Sequence, residues 1–135
     1  MSPAPVDVAR SWFRAAKALD ADALAAASHD DFEWVTMHRG TRRGHEGLRA
    51  WVERQSYGVA MHTEAVGYFH RDDTVVAPTR TELRYVEDGE LAGTDTGAVV
   101  IVVRGDRVAS LTGHPDLPAA LRAAGLTEAE GPEPA

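Results

Sequence analysis

The chain has 135 residues, a formal net charge of −7 and no cysteine, with 44% hydrophobic and 26% charged residues. This length fits one domain with a single core. The negative charge argues against a nucleic-acid-binding protein, which would carry a basic face, and the lack of cysteine excludes disulfides, thiol catalysis and thiolate metal sites. No apolar run is long enough to cross a membrane, and "MSPAPVDVARSW" lacks the pattern of a secretory signal. We therefore expect a cytoplasmic protein that binds neither membranes nor nucleic acids.

The first half of the chain predicts three helices, with a strand between the second and the third. Apolar residues at helical spacing over residues 6–19 predict one buried helix face. "DALAAAS" follows as a short helix that Asp20 can cap. "FEWVTMH" alternates as a strand does, and "RGTRRG" predicts a turn before the helix "HEGLRAWVERQ". One side of the predicted strand carries Phe32, Trp34, Thr36 and His38.

The second half of the chain predicts strands and a closing helix. "AMHTEAVGYFH", "TVVAPTRTELRYV", "TDTGAVVIVVR" and "RVASLTGH" predict four strands, and the short turns between them imply antiparallel pairing. "AVVIVV" is apolar on both faces, which indicates a central strand or an interface. "DLPAALRAAG" predicts a short helix with Asp116 as its N-cap and Gly125 at its end.

Helices followed by a strand meander indicate the α+β class. We expect a cone-shaped, curved antiparallel sheet wrapped on three N-terminal helices, with a short C-terminal helix. The interior of such a cone can hold a ligand. A single domain is expected over residues 1–126, followed by a flexible acidic tail at residues 127–135.

Two N-terminal and two C-terminal segments resemble SnoaL-like proteins of the nuclear transport factor 2-like superfamily. These are "FRAAKALDADALAAASHDDFEWV", "RRGHEGLRAWV", "GDRV" and "DLPAALRAAGL", which together cover most of residues 6–126. The resemblance implies the cone fold and a homodimer formed through the outer sheet face. The same fold carries polyketide cyclases, steroid isomerases, epoxide hydrolases, dehydratases and binding proteins, so function has to be argued from the site.

The first candidate for chemistry is the pair Arg80 and Glu82 in "VAPTRTEL", which resembles the Arg-x-Asp strand of limonene-epoxide-hydrolase-like proteins. The resemblance implies that Glu82 is an acid or base whose acidity Arg80 adjusts. Residues two apart on a strand share a face, so both side chains would enter the interior together. The alternative is an ion pair on the outer face, which Arg84 favours because it continues the same parity.

The second candidate is the end of the last strand, where the resemblance places a family acid at Gly113. The missing side chain puts the epoxide-opening mechanism of these relatives in doubt. The neighbouring His114 would enter the interior only through a β-bulge, because adjacent strand residues point to opposite faces. Asp116 is better explained as a helix cap.

His38, near the end of the first strand, is a candidate second proton carrier or, alternatively, a partly exposed strand-end histidine. Histidines do not occur at metal-site spacing, so we expect neither a metal nor another cofactor. The residues expected to line the pocket are Trp34, Thr36, Trp51, Tyr57, Tyr68, Leu111 and His114.

The leading hypothesis is a cofactor-independent enzyme that moves protons on a hydrophobic, oxygen-bearing small molecule. It would be a cyclase, isomerase, dehydratase or epoxide hydrolase, with Glu82, Arg80 and His38 as its catalytic residues. The alternative is a non-catalytic ligand-binding or scaffold protein of the same fold, which the missing acid at Gly113 favours. If Arg80 and Glu82 point to the outside of the sheet, the hydrolase-like hypothesis fails, whereas an inward pair with Glu82 buried beside Arg80 would favour an enzyme.

Overall fold

The computed structural model describes residues 3–126 and 130–135 and has the predicted α+β class. Its elements are α1 (Pro5–Ala18), α2 (Ala21–Ala26), β1 (Ser28–Val35), β2 (Thr41–Arg43), α3 (Gly44–Arg54), β3 (Val59–Ala65), β4 (Gly67–Arg71), β5 (Thr74–Tyr85), β6 (Leu91–Arg104), β7 (Arg107–His114), α4 (Leu117–Ala124) and β8 (Glu130–Pro134). Within the described residues, no helix combines the length and the apolar character needed to cross a membrane.

The eight strands form one curved, unclosed mixed sheet in the order β2-β1-β7-β6-β5-β4-β8, with β3 pairing to β5 beside β4. Strands β3 to β7 pair antiparallel, as their short links predict. The sheet as a whole is mixed, because the first strand, β1, runs parallel to β7. Helix α3 and the whole meander lie between these two strands in sequence, so the chain is free to return in the same direction.

Two strand boundaries differ from the predicted ones. β1 begins at Ser28 and ends at Val35, so Thr36 and His38 lie in the following loop. The side chain of Thr36 closes this loop by donating to the carbonyl oxygen of Gly40 at 2.7 Å. The segment "AMHTEAVGYFH" forms two strands, β3 and β4, which both pair with β5.

The main core lies between the N-terminal helices and the face of the sheet that they cover, which we call the inner face. The predicted apolar stripe of α1 is buried there, with Trp12 3% and Phe13 5% exposed. Helix α3 adds Leu48, and β5 and β6 add Val75 and Ile101. Burial of these side chains accounts for the way the helices pack on the sheet.

Helix α4 packs on the opposite side of the sheet, which we call the outer face. Ala120 of α4 is buried there against Val76 and Ala98. The apolar character of "AVVIVV" on both faces is thereby explained within the chain, since its outward residues pack under α4. The homodimer through the outer face stays a prediction. Asp116 caps α4 as predicted, accepting a hydrogen bond from the Ala119 backbone N–H at 2.8 Å.

The C-terminal residues 130–134, expected in a flexible tail, form strand β8 on the open edge of β4. Arg10 donates hydrogen bonds to the carbonyl oxygen of Pro134 from Nε at 3.1 Å and from Nη2 at 2.8 Å. An edge strand offers unpaired backbone groups, which another segment can satisfy by pairing. The rest of the predicted tail, residues 127–129, lies outside the described residues.

Ser28 joins helix α1 to the start of β1 inside the core. The Trp12 indole N–H donates to Ser28 Oγ at 3.1 Å, and the Ser28 hydroxyl donates to the Leu24 carbonyl at 2.8 Å. Ser28→Ala is expected to lower the free energy of unfolding by about 1–3 kcal/mol, because the buried indole N–H loses its acceptor. Urea unfolding measures this change. The exposed Ser56 offers the control Ser56→Ala, and equal losses in the two variants would contradict the assignment.

Candidate functional site

A cavity of about 590 Å³ lies on the inner face of the sheet, beyond the C-terminal end of α3. The loop after β1, the end of α3 and strands β3, β5 and β6 supply most of its wall. A second depression of about 650 Å³ runs along α1 and α2, but the described residues that line it include no aromatic side chain and no histidine. The first cavity is the candidate site because aromatic and titratable side chains converge on it.

Two tryptophans form the aromatic wall of this cavity. The ring centroids of Trp34 and Trp51 are 5.2 Å apart at an interplanar angle of 64°. Trp34 also packs against Trp12 of the core, with centroids 5.7 Å apart. The wall is therefore continuous with the packed interior, and such edge-to-face pairs hold the rings in fixed orientations.

Most of the expected pocket residues line the cavity, and two do not. The ones that do are Trp34, Thr36, Trp51, Tyr57 and His114. Tyr57 lies at the rim, where it is 70% exposed. Tyr68 and Leu111 are instead buried in the main core, and burial raises the pKa of Tyr68 to about 12.

Strand β5 turns its threonines, not its charged residues, toward the cavity. Thr79 and Thr81 line it, and Thr81 Oγ1 shares a hydrogen bond of 2.9 Å with Thr63 Oγ1 of β3. Because side chains alternate along a strand, Arg80 and Glu82 lie on the outer face. The expectation that these two residues enter the interior is not met.

On the outer face, Arg80 and Glu82 take part in ordinary ion pairs. Glu82 pairs with Arg84, two residues along the same strand. Arg80 Nη1 lies 3.9 Å from a carboxylate oxygen of Glu64 on β3, and the Arg80 side chain is 52% exposed. Each of the two charged groups therefore has an oppositely charged neighbour on the outer face, as the alternative of an outward ion pair predicts.

The inner position at Gly113 is covered by an apolar side chain. Gly113 lies opposite Val99 in the β6–β7 register. A Cβ at Gly113 would lie 3.4 Å from Met37 Cγ and 3.7 Å from the Val35 carbonyl oxygen. Met37 is therefore in van der Waals contact with the position at which the resemblance places a family acid.

The two candidate histidines, His38 and His114, both border the cavity. His38 lies in the exposed loop after β1. His114 lies opposite Ala98, and the irregularity in this strand pair occurs farther along, between Val102 and Val103. No bulge in the register therefore turns His114 inward.

Of the described residues that line the cavity, Asp95 is the one carboxylate, and sequence reasoning missed it. It lies on β6 directly opposite Thr81, and its Oδ1 accepts a hydrogen bond from the Thr96 backbone N–H at 2.9 Å. Counting back in steps of two from Ile101 would have placed it on the inner face. The apolar run "AVVIVV" hides that parity because both of its faces are apolar.

Three arginines, Arg39, Arg42 and Arg54, also line the cavity, and we call them the arginine cluster. Arg42 lies opposite Trp34 in the β1–β2 register, and its Nε atom is buried without a hydrogen-bond partner. Burial and the repulsion of Arg54 and Arg39 hold the pKa of Arg42 below its ordinary value. The segment "RGTRRG", predicted as a turn, gave no signal of this inward position.

Histidine, aspartate and glutamate side chains are nowhere grouped in a way that could hold a metal ion, as far as the described residues extend. No set of metal ligands is therefore assigned to His38, His114 or Asp95 at the cavity.

Comparisons with known proteins agree with this fold. The SnoaL-like domain model matches residues 9–111, so the chain belongs to the SnoaL-like domain family, as the sequence resemblance indicates. A search of curated proteins gives no significant match.

Solved structures share the fold at low sequence identity. An epoxide hydrolase of the LEH-like type from M. tuberculosis is 16% identical with a TM-score of 0.70, over 87% of this chain and 82% of that one. An NTF2-like protein from Burkholderia xenovorans LB400 is 25% identical with a TM-score of 0.67, over 91% and 97%. A protein with a ketosteroid isomerase-like fold from Catenulispora acidiphila, in complex with trimethylamine, is 20% identical with a TM-score of 0.68, over 93% and 95%.

Proposed function

We propose that the protein is a cofactor-independent enzyme that binds a hydrophobic, oxygen-bearing small molecule in the aromatic cavity and moves a proton on it. The observation that carries the proposal is the convergence of Trp34 and Trp51 with Asp95 on one cavity of about 590 Å³. Apolar walls with a few polar groups are typical of small-molecule sites. The epoxide hydrolase and ketosteroid isomerase-like structures of this fold support the reaction class by analogy only.

Within this proposal Asp95 accepts the proton. It is the one carboxylate among the described residues that line the cavity, and one of its oxygens accepts a hydrogen bond from the backbone N–H of Thr96. A carboxylate that is positioned against an apolar substrate can act as a general base. His38 borders the same cavity and is the proposed second proton carrier. Glu82 and Arg80 have no part in this mechanism, because they lie on the other face of the sheet.

The second candidate function is ligand binding without catalysis. It is favoured by the missing acid at Gly113 and by the outward position of Arg80 and Glu82. The exposure of Asp95 also favours it, since enzymes often bury the acid or base whose acidity they adjust. Both candidates require the cavity to bind a small molecule, and only the first requires turnover.

A pair of valine variants on β6 tests the cavity as the binding site. Val99 lines the cavity, whereas Val102 is 38% exposed on the outer face. Val99→Phe places a ring in the cavity and is expected to weaken ligand binding by about tenfold or more, while Val102→Phe leaves it unchanged. Cyclic enones and epoxides serve as probes, with tryptophan fluorescence for binding and product analysis for turnover. Equal binding by both variants would place the ligand elsewhere.

A further inference from the structure

The arginine cluster brings three positive charges to the border of the cavity. None of its three members forms an ion pair with a described residue. The adjacent Arg43, by contrast, places Nη1 2.7 Å from a carboxylate oxygen of Glu33 on the outer face.

Asp95 does not neutralise the cluster. Although both border the cavity, the contact that Asp95 makes is with the backbone N–H of Thr96, and it forms no ion pair with an arginine among the described residues. Three guanidinium groups and one carboxylate leave the cavity with an excess of positive charge. Like charges that are close together raise the free energy of the folded state, and an anion bound between them lowers this free energy.

Arg42 is the member that points most clearly to a ligand. It is half-buried, its Nε has no partner, and it lies opposite Trp34 across the β1–β2 pair. Gly47 of α3 packs against its backbone and Cβ, since a Cβ at Gly47 would lie 3.3 Å from the Arg42 carbonyl carbon. The base of the side chain is thus fixed between β1 and α3, beside the aromatic wall. A guanidinium group presented in this way matches the planar geometry of a carboxylate.

We propose that the ligand of this cavity is an aromatic or polycyclic anion, whose carboxylate or phenolate oxygen binds the arginine cluster while its rings pack against Trp34 and Trp51. This inference rests on the proposed function, because it names the substrate class of the same cavity. The excess of cations selects for the anionic group, and the tryptophan wall selects for rings. A neutral ligand of the same shape leaves the excess positive charge of the cavity uncompensated.

Binding of naphthalene-2-carboxylate and naphthalene-2-carboxamide tests the inference, since the two compounds have the same ring and differ in charge. Isothermal titration calorimetry on the full chain is expected to show the carboxylate binding about tenfold more tightly or better. The preference should shrink as salt is added, because added ions screen charges near the surface. In Arg42→Met the ratio of the two affinities should fall close to one.

Arg43→Met is the matched control, because it removes the same charge one residue away on the other face. It should keep the wild-type ratio. Arg54→Met, in the exposed last turn of α3, gives a second cluster variant if Arg42→Met does not fold, and it should lower the ratio as well. A ratio that neither cluster variant changes would overturn the inference.

The outcomes separate this inference from the proposed function. If both compounds bind the wild type equally, the anion preference is wrong and the cavity remains a small-molecule site. If neither compound binds, the cavity proposal and the inference fall together. If the carboxylate binds and Val99→Phe does not weaken it, the anion site lies outside the cavity, which also overturns the inference.

Discussion

Asp95→Asn is expected to lower turnover of the cavity's substrate by about a hundredfold or more, which is the usual contribution of a positioned acid or base. Asparagine has nearly the same shape, and its amide oxygen can still accept the hydrogen bond from the Thr96 N–H. What it loses is the ability to take up a proton. Steady-state kinetics should therefore show a fall in kcat with little change in ligand affinity.

Glu82→Gln is the matched control for this prediction. It also converts a carboxylate to an amide, on the strand next to β6, but on the outer face where Glu82 pairs with Arg84. Its turnover should equal that of the wild type. If Asp95→Asn kept full activity, Asp95 would be removed from the mechanism, and ligand binding without catalysis would become the better account of the cavity.

The fold was predictable from the sequence because several independent patterns agree. The apolar stripe of α1, the short turns between the strands and the caps of α4 each depend on neighbours close in sequence. The parallel pairing of β1 with β7 was not predictable in this way, since it joins segments separated by most of the chain. The pairing of β8 with β4 likewise joins segments that are far apart in sequence.

The candidate site was only partly predictable. Side chains alternate between the two faces of a strand, so a charged residue faces the cavity or the outside depending on its position in that alternation. Trp34 and Trp51 could be placed, since large apolar side chains go inward. Glu82 could not, because "TRTEL" offers threonines to one face and charges to the other, and composition does not say which face is inner. A shift of one residue exchanges Arg80 and Glu82 for Thr79 and Thr81.

The arginine cluster was hidden for a different reason. Its members come from a loop, a three-residue strand and the end of a helix, and only the folded chain brings them to one cavity. Charged residues in a Gly-rich segment such as "RGTRRG" normally face solvent. The burial of the Arg42 Nε atom without a partner results from packing, and no sequence pattern predicts it.

Phe32→Ala is expected to destabilise the protein by about 3–5 kcal/mol, the range measured for removing a buried phenyl ring. Phe32 is 1% exposed, and its ring lies 6.1 Å from that of Trp12. Such a loss is a large part of the total stability of a small domain, which is about 5–15 kcal/mol. Urea unfolding followed by far-UV circular dichroism measures it.

The same substitution should also weaken ligand binding, although Phe32 does not line the cavity. Trp12 packs against both Phe32 and Trp34. Removal of the Phe32 ring leaves a space next to Trp12, so Trp12 no longer holds Trp34 of the aromatic wall in a fixed position. Phe69→Ala is the matched control, because Phe69 is only partly buried and packs with the outer-face cluster under α4. It should cost less stability and leave ligand affinity unchanged. Equal losses of affinity in both variants would contradict this explanation, because a change on the outer face would then affect the cavity as much as a change in the core behind the aromatic wall.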